Sequence, residues 1–204
     1  MLLKIYPENP APRHIEMVLE GLKQGHVFVF PTDTVYGLGC DLYNTKAFDR
    51  LEQIKGGKKT KKTFSIIVSD ISMLSEFTKP IDNSIFRMLK RNIPGPFTFI
   101  LEANSSVPKL FQSKKRTIGV RIPDNPFMLH VVQALGHPLV TTSIHNEDKI
   151  IDYTTDPELI HEQYEHIVDG VVDGGFSHNI PSTVIDCTGG HPEIIREGLG
   201  LLKE

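Results

Sequence analysis

The chain has 204 residues, 39% of them hydrophobic and 23% charged, and a formal net charge of −3. This balance is long and apolar enough to bury a core as one domain spanning 1–204, and it excludes both a disordered chain and a globally basic nucleic-acid binder. The two cysteines, Cys40 and Cys187, are far apart and make no CxxC spacing, so neither a disulfide framework nor a protein-held metal site is expected. Lys4 follows only two leucines and no apolar run has membrane-spanning length, so the expectation is a cytoplasmic protein with no membrane partner.

In chain order, Leu2 to Tyr6 reads as an edge strand ended by Pro7 and Pro10. Ile15, Val18, Leu19 and Leu22 recur at helical spacing, with Gly25 as the C-terminal stop. Val27 to Phe30 is a short apolar strand. It runs into Pro31-Thr32-Asp33-Thr34-Val35-Tyr36-Gly37-Leu38-Gly39-Cys40, read here as a strand end whose small polar residues and glycines let a ligand approach the backbone. Ala47, Leu51 and Ile54 form a second helical stripe that enters a lysine-rich loop, Lys55, Lys58, Lys59, Lys61 and Lys62. Phe64 to Val68 is a strand, and Ile85, Phe86 and Leu89 mark a helix that ends before Pro94. Phe97 to Leu101 and Thr117 to Ile122 are strands with no helix between them. Asp124 or Asn125 caps the next helix, with Pro126 in its first turn and Gly136 at its end. Leu139 to Thr142 is a strand with a polar end, Asp156-Pro157 opens a helix, and Thr183 to Asp186 and Ile194 to Arg196 are closing strands. Interleaved strands and helices with one helix-free stretch predict an α/β fold built on a mixed sheet.

Several familiar motifs fail on inspection. Gly56-Gly57-Lys58-Lys59-Thr60 lacks the contiguous Gly-Lys-Ser/Thr of a P-loop, and Glu52 stands where its first glycine belongs. His161 and His166 are one residue too far apart for a zincin helix. Gly175-Phe176-Ser177-His178 lacks the second glycine of a nucleophile elbow. With no nucleophile–base pair evident, any chemistry must come from positioning and charge. The remaining polar patches all lie at strand ends or in adjoining loops: 31–40, 55–62, Thr117 to Arg121, Thr141 to Ser143 and Pro181 to Thr183, with Arg196 near the end. Open α/β sheets gather such ends into one crevice, and an inventory of hydroxyls, lysines and arginines suits an anionic ligand such as a nucleotide or a carboxylate. Each patch also has a plainer reading: a solvated lysine loop, a local cap at Thr141-Thr142-Ser143, an internal ion pair at Arg121.

Taken together the patches resemble the YrdC family. Pro31 to Gly39 is similar to its PT[DE]TVYGLG signature. The same order of motifs follows in Lys55-Gly56, Pro94-Gly95-Pro96-Phe97-Thr98, Gly119-Val120-Arg121-Ile122-Pro123, Thr141-Thr142-Ser143, Ser182-Thr183-Val184-Ile185-Asp186 and Arg196-Glu197-Gly198. The resemblance covers about residues 10 to 200, and Arg116-Thr117-Ile118-Gly119 and the short C-terminus look most like the YciO branch. It implies a twisted mixed β-sheet flanked by helices, a single domain with a basic concave surface. It also implies a nucleotidyltransferase that forms threonylcarbamoyl-AMP from L-threonine, bicarbonate and ATP with Mg²⁺ and releases pyrophosphate, feeding the t6A modification of tRNA. By the same resemblance Lys55, Thr117, Ser143 and Arg196 hold ATP, with Lys55 and Ser143 in the catalytic set. Thr34, Arg121, Thr141 and Ser182 hold threonine, Arg121 on its carboxylate.

The sequence departs from the family's KxR…SxN set at two places. Gly57, or Lys58 if the loop is shifted by one, stands at the arginine, and His145 stands at the asparagine. Lysine supplies charge but no planar fork, and loss of one positioned donor costs roughly two to three orders of magnitude in rate at such sites. Lys58 and His145 are therefore the expected substitutes on the nucleotide side. Two other expectations stay open: binding of double-stranded RNA or tRNA through the lysine loop, and a nucleotide-binding paralogue with weakened catalysis.

Overall fold

The computed structural model describes residues 1–6, 8–56, 64–108, 111, 116–144 and 152–203. Among these, the elements run β1 (Leu2–Lys4), α1 (Pro12–Lys23), β2 (Phe28–Phe30), β3 (Gly37–Asp41), α2 (Thr45–Ile54), β4 (Ser65–Ile67), α3 (Ile71–Phe77), α4 (Asn83–Asn92), β5 (Phe97–Glu102), β6 (Thr117–Arg121), α5 (Pro126–Leu135), β7 (Leu139–Ser143), α6 (Asp152–Thr155), α7 (Pro157–Tyr164), β8 (Gly170–Asp173), β9 (Thr183–Asp186) and β10 (Glu193–Arg196).

The helix boundaries follow local chemistry. Asn44, Asp70, Asn125 and Asp156 each accept a backbone N–H from the first turn of α2, α3, α5 and α7 in that order. Pro12, Pro126 and Pro157 occupy first-turn positions, where a missing N–H costs nothing. Gly136 ends α5 at φ +80°, a conformation that side chains with a Cβ rarely adopt. The apolar stripe expected at the N-terminus is α1, with Val18 and Leu22 buried.

The strands form one sheet in the order β1-β8-β2-β3-β7-β4-β6-β5-β9-β10. β1/β8, β2/β8, β4/β6 and β5/β9 are parallel, and β2/β3, β3/β7, β4/β7, β5/β6 and β9/β10 are antiparallel, so the mixed sheet read from the sequence is present. One apolar cluster joins α1 and α5 to Phe28, Phe30, Ile67 and Leu139. A larger one joins Leu51 of α2, Leu74 of α3 and Leu89 of α4 to Leu38, Ile66, Phe99 and Val120.

Four elements differ from the sequence reading. The second half of the 31–40 segment is not a loop but the fully buried strand β3, paired with β2 on one side and β7 on the other. The sequence reading has no counterpart of β8, α3 or the four-residue α6, yet β8 lies between β1 and β2. Among the described residues no helix is long and apolar enough to cross a membrane.

Candidate functional site

A cavity of about 630 Å³ opens where strands β3, β7, β4, β6, β5 and β9 run side by side. Its floor is made largely of small residues. Gly39, Thr141, Ser65, Gly119 and Ile100 stand in one row across five strands, and the last four line the cavity. Along β6 the period of two puts Thr117, Gly119 and Arg121 on the cavity side while Ile118 and Val120 enter the core. A Cβ at Gly119 would lie 3.2 Å from both Ser65 Cβ and Thr98 Cγ2, so the glycine keeps this floor open.

Arg121 dominates the electrostatics. Its side chain is nearly buried, and its Nη2 donates to Asp33 Oδ1 at 2.8 Å and to Thr34 Oγ1 at 3.0 Å. Asp33 is held in turn by the Asp124 backbone N–H at 3.0 Å. Burial raises the Asp33 carboxyl above its ordinary value despite Arg121 beside it. Burial likewise lowers Arg121, and the neighbouring Arg196 pushes the same way against the attraction of Asp33. Arg121 Nε is buried and has no partner among the described residues, although Arg121 lines the cavity. An unsatisfied buried donor of this kind costs about 1–3 kcal/mol, which a bound acceptor recovers.

Thr34 sits beneath this arginine rather than on the cavity wall. It is 0% exposed, and its Oγ1 lies 3.1 Å from that of Thr32, whose own hydroxyl donates to Val35 O. Tyr36, also fully buried, donates to Gly175 O at 2.7 Å and accepts the Gly174 N–H, which ties this segment to the loop after β8.

The opposite wall carries Ser182 and Arg196. Arg196 Nε and Nη2 both donate to Ser182 O, and Nη2 also reaches Ser182 Oγ at 3.3 Å. Ser182 Oγ is 2.7 Å from Thr98 Oγ1. The tail after Arg196 packs against the same segment: a Cβ at Gly198 would meet Pro181 O at 2.3 Å, so no larger residue fits. At the other end, Lys55 caps α2 and its Nζ donates to Ser143 O at 2.5 Å. Phe48, Phe64 and Phe111 form an apolar wall there, with ring centroids 5.0 Å and 4.2 Å from Phe48, and Glu52 lies beside them.

The sheet thus brings Thr117, Arg121, Thr141, Ser143, Ser182 and Arg196 onto one cavity, with Lys55 bonded to its rim. The Thr141 hydroxyl is committed to Leu38 O at 3.0 Å. Lys58, His145 and the rest of the lysine loop lie outside the described residues. Thr98 and Asp33 belong to motifs seen in the sequence but were not singled out as site residues. The signal for Thr98 in the sequence is its place in the motif Pro94-Gly95-Pro96-Phe97-Thr98. No cluster of three or more His, Cys, Asp or Glu side chains able to hold a metal occurs among the described residues.

The family model for Sua5, YciO and YrdC, described as telomere recombination, matches residues 20–198. An uncharacterized protein of Haemophilus influenzae is 40% identical over 96% of this chain and 94% of its own length. YciO of Escherichia coli is 38% identical over 98% of this chain and 96% of its own, and its crystal structure superposes with a TM-score of 0.90. A threonylcarbamoyl-AMP synthase of Coxiella burnetii is 30% identical over 86% of this chain and 92% of its own. Sua5 of P. abyssi, crystallised with L-threonine, gives a TM-score of 0.86 at 25% identity, covering 97% of this chain and 57% of that one. The chain belongs to the Sua5/YciO/YrdC family.

Proposed function

We propose that this protein forms threonylcarbamoyl-AMP, or a closely related carbamoyl adenylate, from an amino acid, bicarbonate and ATP. The observation that carries the reading is Arg121: a nearly buried guanidinium lining the cavity, fixed by Asp33 and Thr34 through Nη2 alone, with Nε unpartnered. A guanidinium held in this way is matched to a carboxylate, and the Sua5 structure carrying L-threonine supports an amino acid as its ligand. Arg196 and Lys55 add cationic charge on two other sides for a polyphosphate.

The chemistry needs no side-chain nucleophile. The neutral amine forms a C–N bond to the bicarbonate carbon as water leaves, giving a carbamate. A carbamate oxygen then attacks the α-phosphorus, and the bond to the β-phosphate bridging oxygen breaks to release pyrophosphate. The protein contributes approach geometry and cationic stabilisation of the phosphates. Mg²⁺ would enter on the nucleotide's phosphates as part of the substrate. In this arrangement Arg121 holds the amino-acid carboxylate, Thr34 acts through Arg121, and Thr117, Ser143 and Arg196 face the nucleotide, with Lys58 and His145 as further nucleotide contacts.

The test is pyrophosphate release with ATP, bicarbonate and a panel of amino acids. The expected result is threonine-dependent release that Arg121→Ala and Arg121→Lys both lower by about 100-fold or more in kcat/KM. No release with any amino acid would overturn the reading.

A further inference from the structure

The Thr98–Ser182 pair is a further feature of the same cavity. Two hydroxyls 2.7 Å apart own two protons, and their mutual bond uses one. Ser182 Oγ also accepts from Arg196 Nη2, which takes up a lone pair and no proton. Whichever hydroxyl donates to the other, one O–H has no acceptor among the described residues, although both residues are buried and both line the cavity. Continuing the β5/β6 register beyond Phe99↔Val120 puts Thr98 opposite Arg121, whose Nε is the other unpartnered donor. Arg196 stands on the far side of Ser182, close enough to Arg121 to depress its pKa. With Arg121 Nε given to the amino-acid carboxylate, the unfilled hydroxyl lies between two guanidinium groups, with Asp33 turned to the Nη2 edge of Arg121, in a pocket that is short of acceptors.

The geometry points to Thr98, through the hydroxyl pair it shares with the threonine-side Ser182, as the contact for a small planar oxyanion of the carbonate class, bicarbonate or the carbamate made from it. This rests on the reaction proposed above. A carbamate is built on the amino acid's own nitrogen, so its subsite must adjoin the arginine that holds the amino-acid carboxylate, and Thr98 does. Thr98 is then a binding residue for the one-carbon substrate, separate from the nucleotide contacts.

Thr98→Val keeps the shape and removes the hydroxyl, and Thr98→Ser keeps the hydroxyl. With ¹³C-bicarbonate as probe and no turnover required, the wild type and Thr98→Ser should broaden its NMR line, and Thr98→Val should not. In the steady state Thr98→Val should raise the KM for bicarbonate roughly 10- to 100-fold, with the KM values for ATP and threonine within about twofold, as loss of one contact to one substrate requires. Equal broadening by wild type and Thr98→Val, or none by the wild type, would overturn the assignment. So would a parallel rise in all three KM values, which marks a structural role. Should Thr98→Val fold poorly, failure of Thr98→Ser to broaden the line as the wild type does would overturn it equally. Bicarbonate binding without pyrophosphate release would refute the proposed reaction and leave the subsite standing. Release with a bicarbonate KM indifferent to Thr98 would do the reverse.

Discussion

Arg121 is where the stability of this protein and the proposed chemistry meet. Its pairing with Asp33 is nearly buried, and burial pushes both groups toward their neutral forms. Such a pair adds little net stability, but breaking it leaves one charge stranded. Arg121→Ala should therefore cost about 3–5 kcal/mol in chemical denaturation. Adding Asp33→Asn to that variant should recover more than about 1 kcal/mol, because the stranded carboxylate is gone. Additive losses in the double variant would show that the pair is not the source. Thr34 shows what the sequence could and could not say at this scale. Its motif marked it as a site residue, but only the fold reveals that its hydroxyl supports the arginine from below. Thr98 was hidden for a similar reason: in a strand of alternating residues a threonine reads as ordinary β-former, and its partner Ser182 is 84 residues away.

Among the elements, most capped helices were legible, the seven-residue α3 excepted, and the glycine-rich strands β3 and β8 were not. Asn125, Pro126 and Gly136 announced α5 at both ends. Asn125→Ala should cost about 1 kcal/mol, since its Oδ1 accepts the Met128 N–H at 3.1 Å; an unchanged unfolding midpoint would contradict that cap. β3 was missed because Gly37 and Gly39 resemble turn residues. In the structure they are glycines because neighbouring strands crowd them: a Cβ at Gly39 would lie 3.0 Å from Phe30, and one at Gly37 would lie 3.0 Å from Thr141 Oγ1. β8 was missed because Gly170-Val171-Val172-Asp173 is too short to show a period, and its parallel partners β1 and β2 lie far away in sequence. Gly198 is the converse case. In the sequence it is one member of Arg196-Glu197-Gly198, and its close approach to Pro181 and Ser182 explains it. Gly198→Ala should loosen Arg196 from Ser182, because the tail must shift to admit a methyl group, and under the proposed function it should weaken ATP binding by roughly tenfold in calorimetry.

For the whole molecule, the sheet order does what the linear sequence conceals. Residues from 34 to 196 converge because β7 inserts between β3 and β4 and β9 pairs with β5. The ordered motifs made this family legible, while the contacts inside the cavity depended on register. The depth of the core has a consequence at high pH. Burial pushes the thiols of Cys40 and Cys187 up to about 12 each. A folded-state pKa above the unfolded value means the native state holds its proton longer. Each thiol should therefore lower stability by about 1.4 kcal/mol per pH unit as pH rises from roughly 9 toward 12. Replacing both by Ala should flatten that slope in denaturation curves taken at pH 9, 10 and 11; an unchanged slope would mean other groups produce it.

The most direct measurement of the central claim is pyrophosphate release by the purified protein with ATP, bicarbonate and threonine, with Arg121→Lys alongside. Release should require both threonine and bicarbonate and fall by about 100-fold or more with lysine in place of the fork. Release that ignores threonine, or an Arg121→Lys protein as active as the wild type, would contradict it.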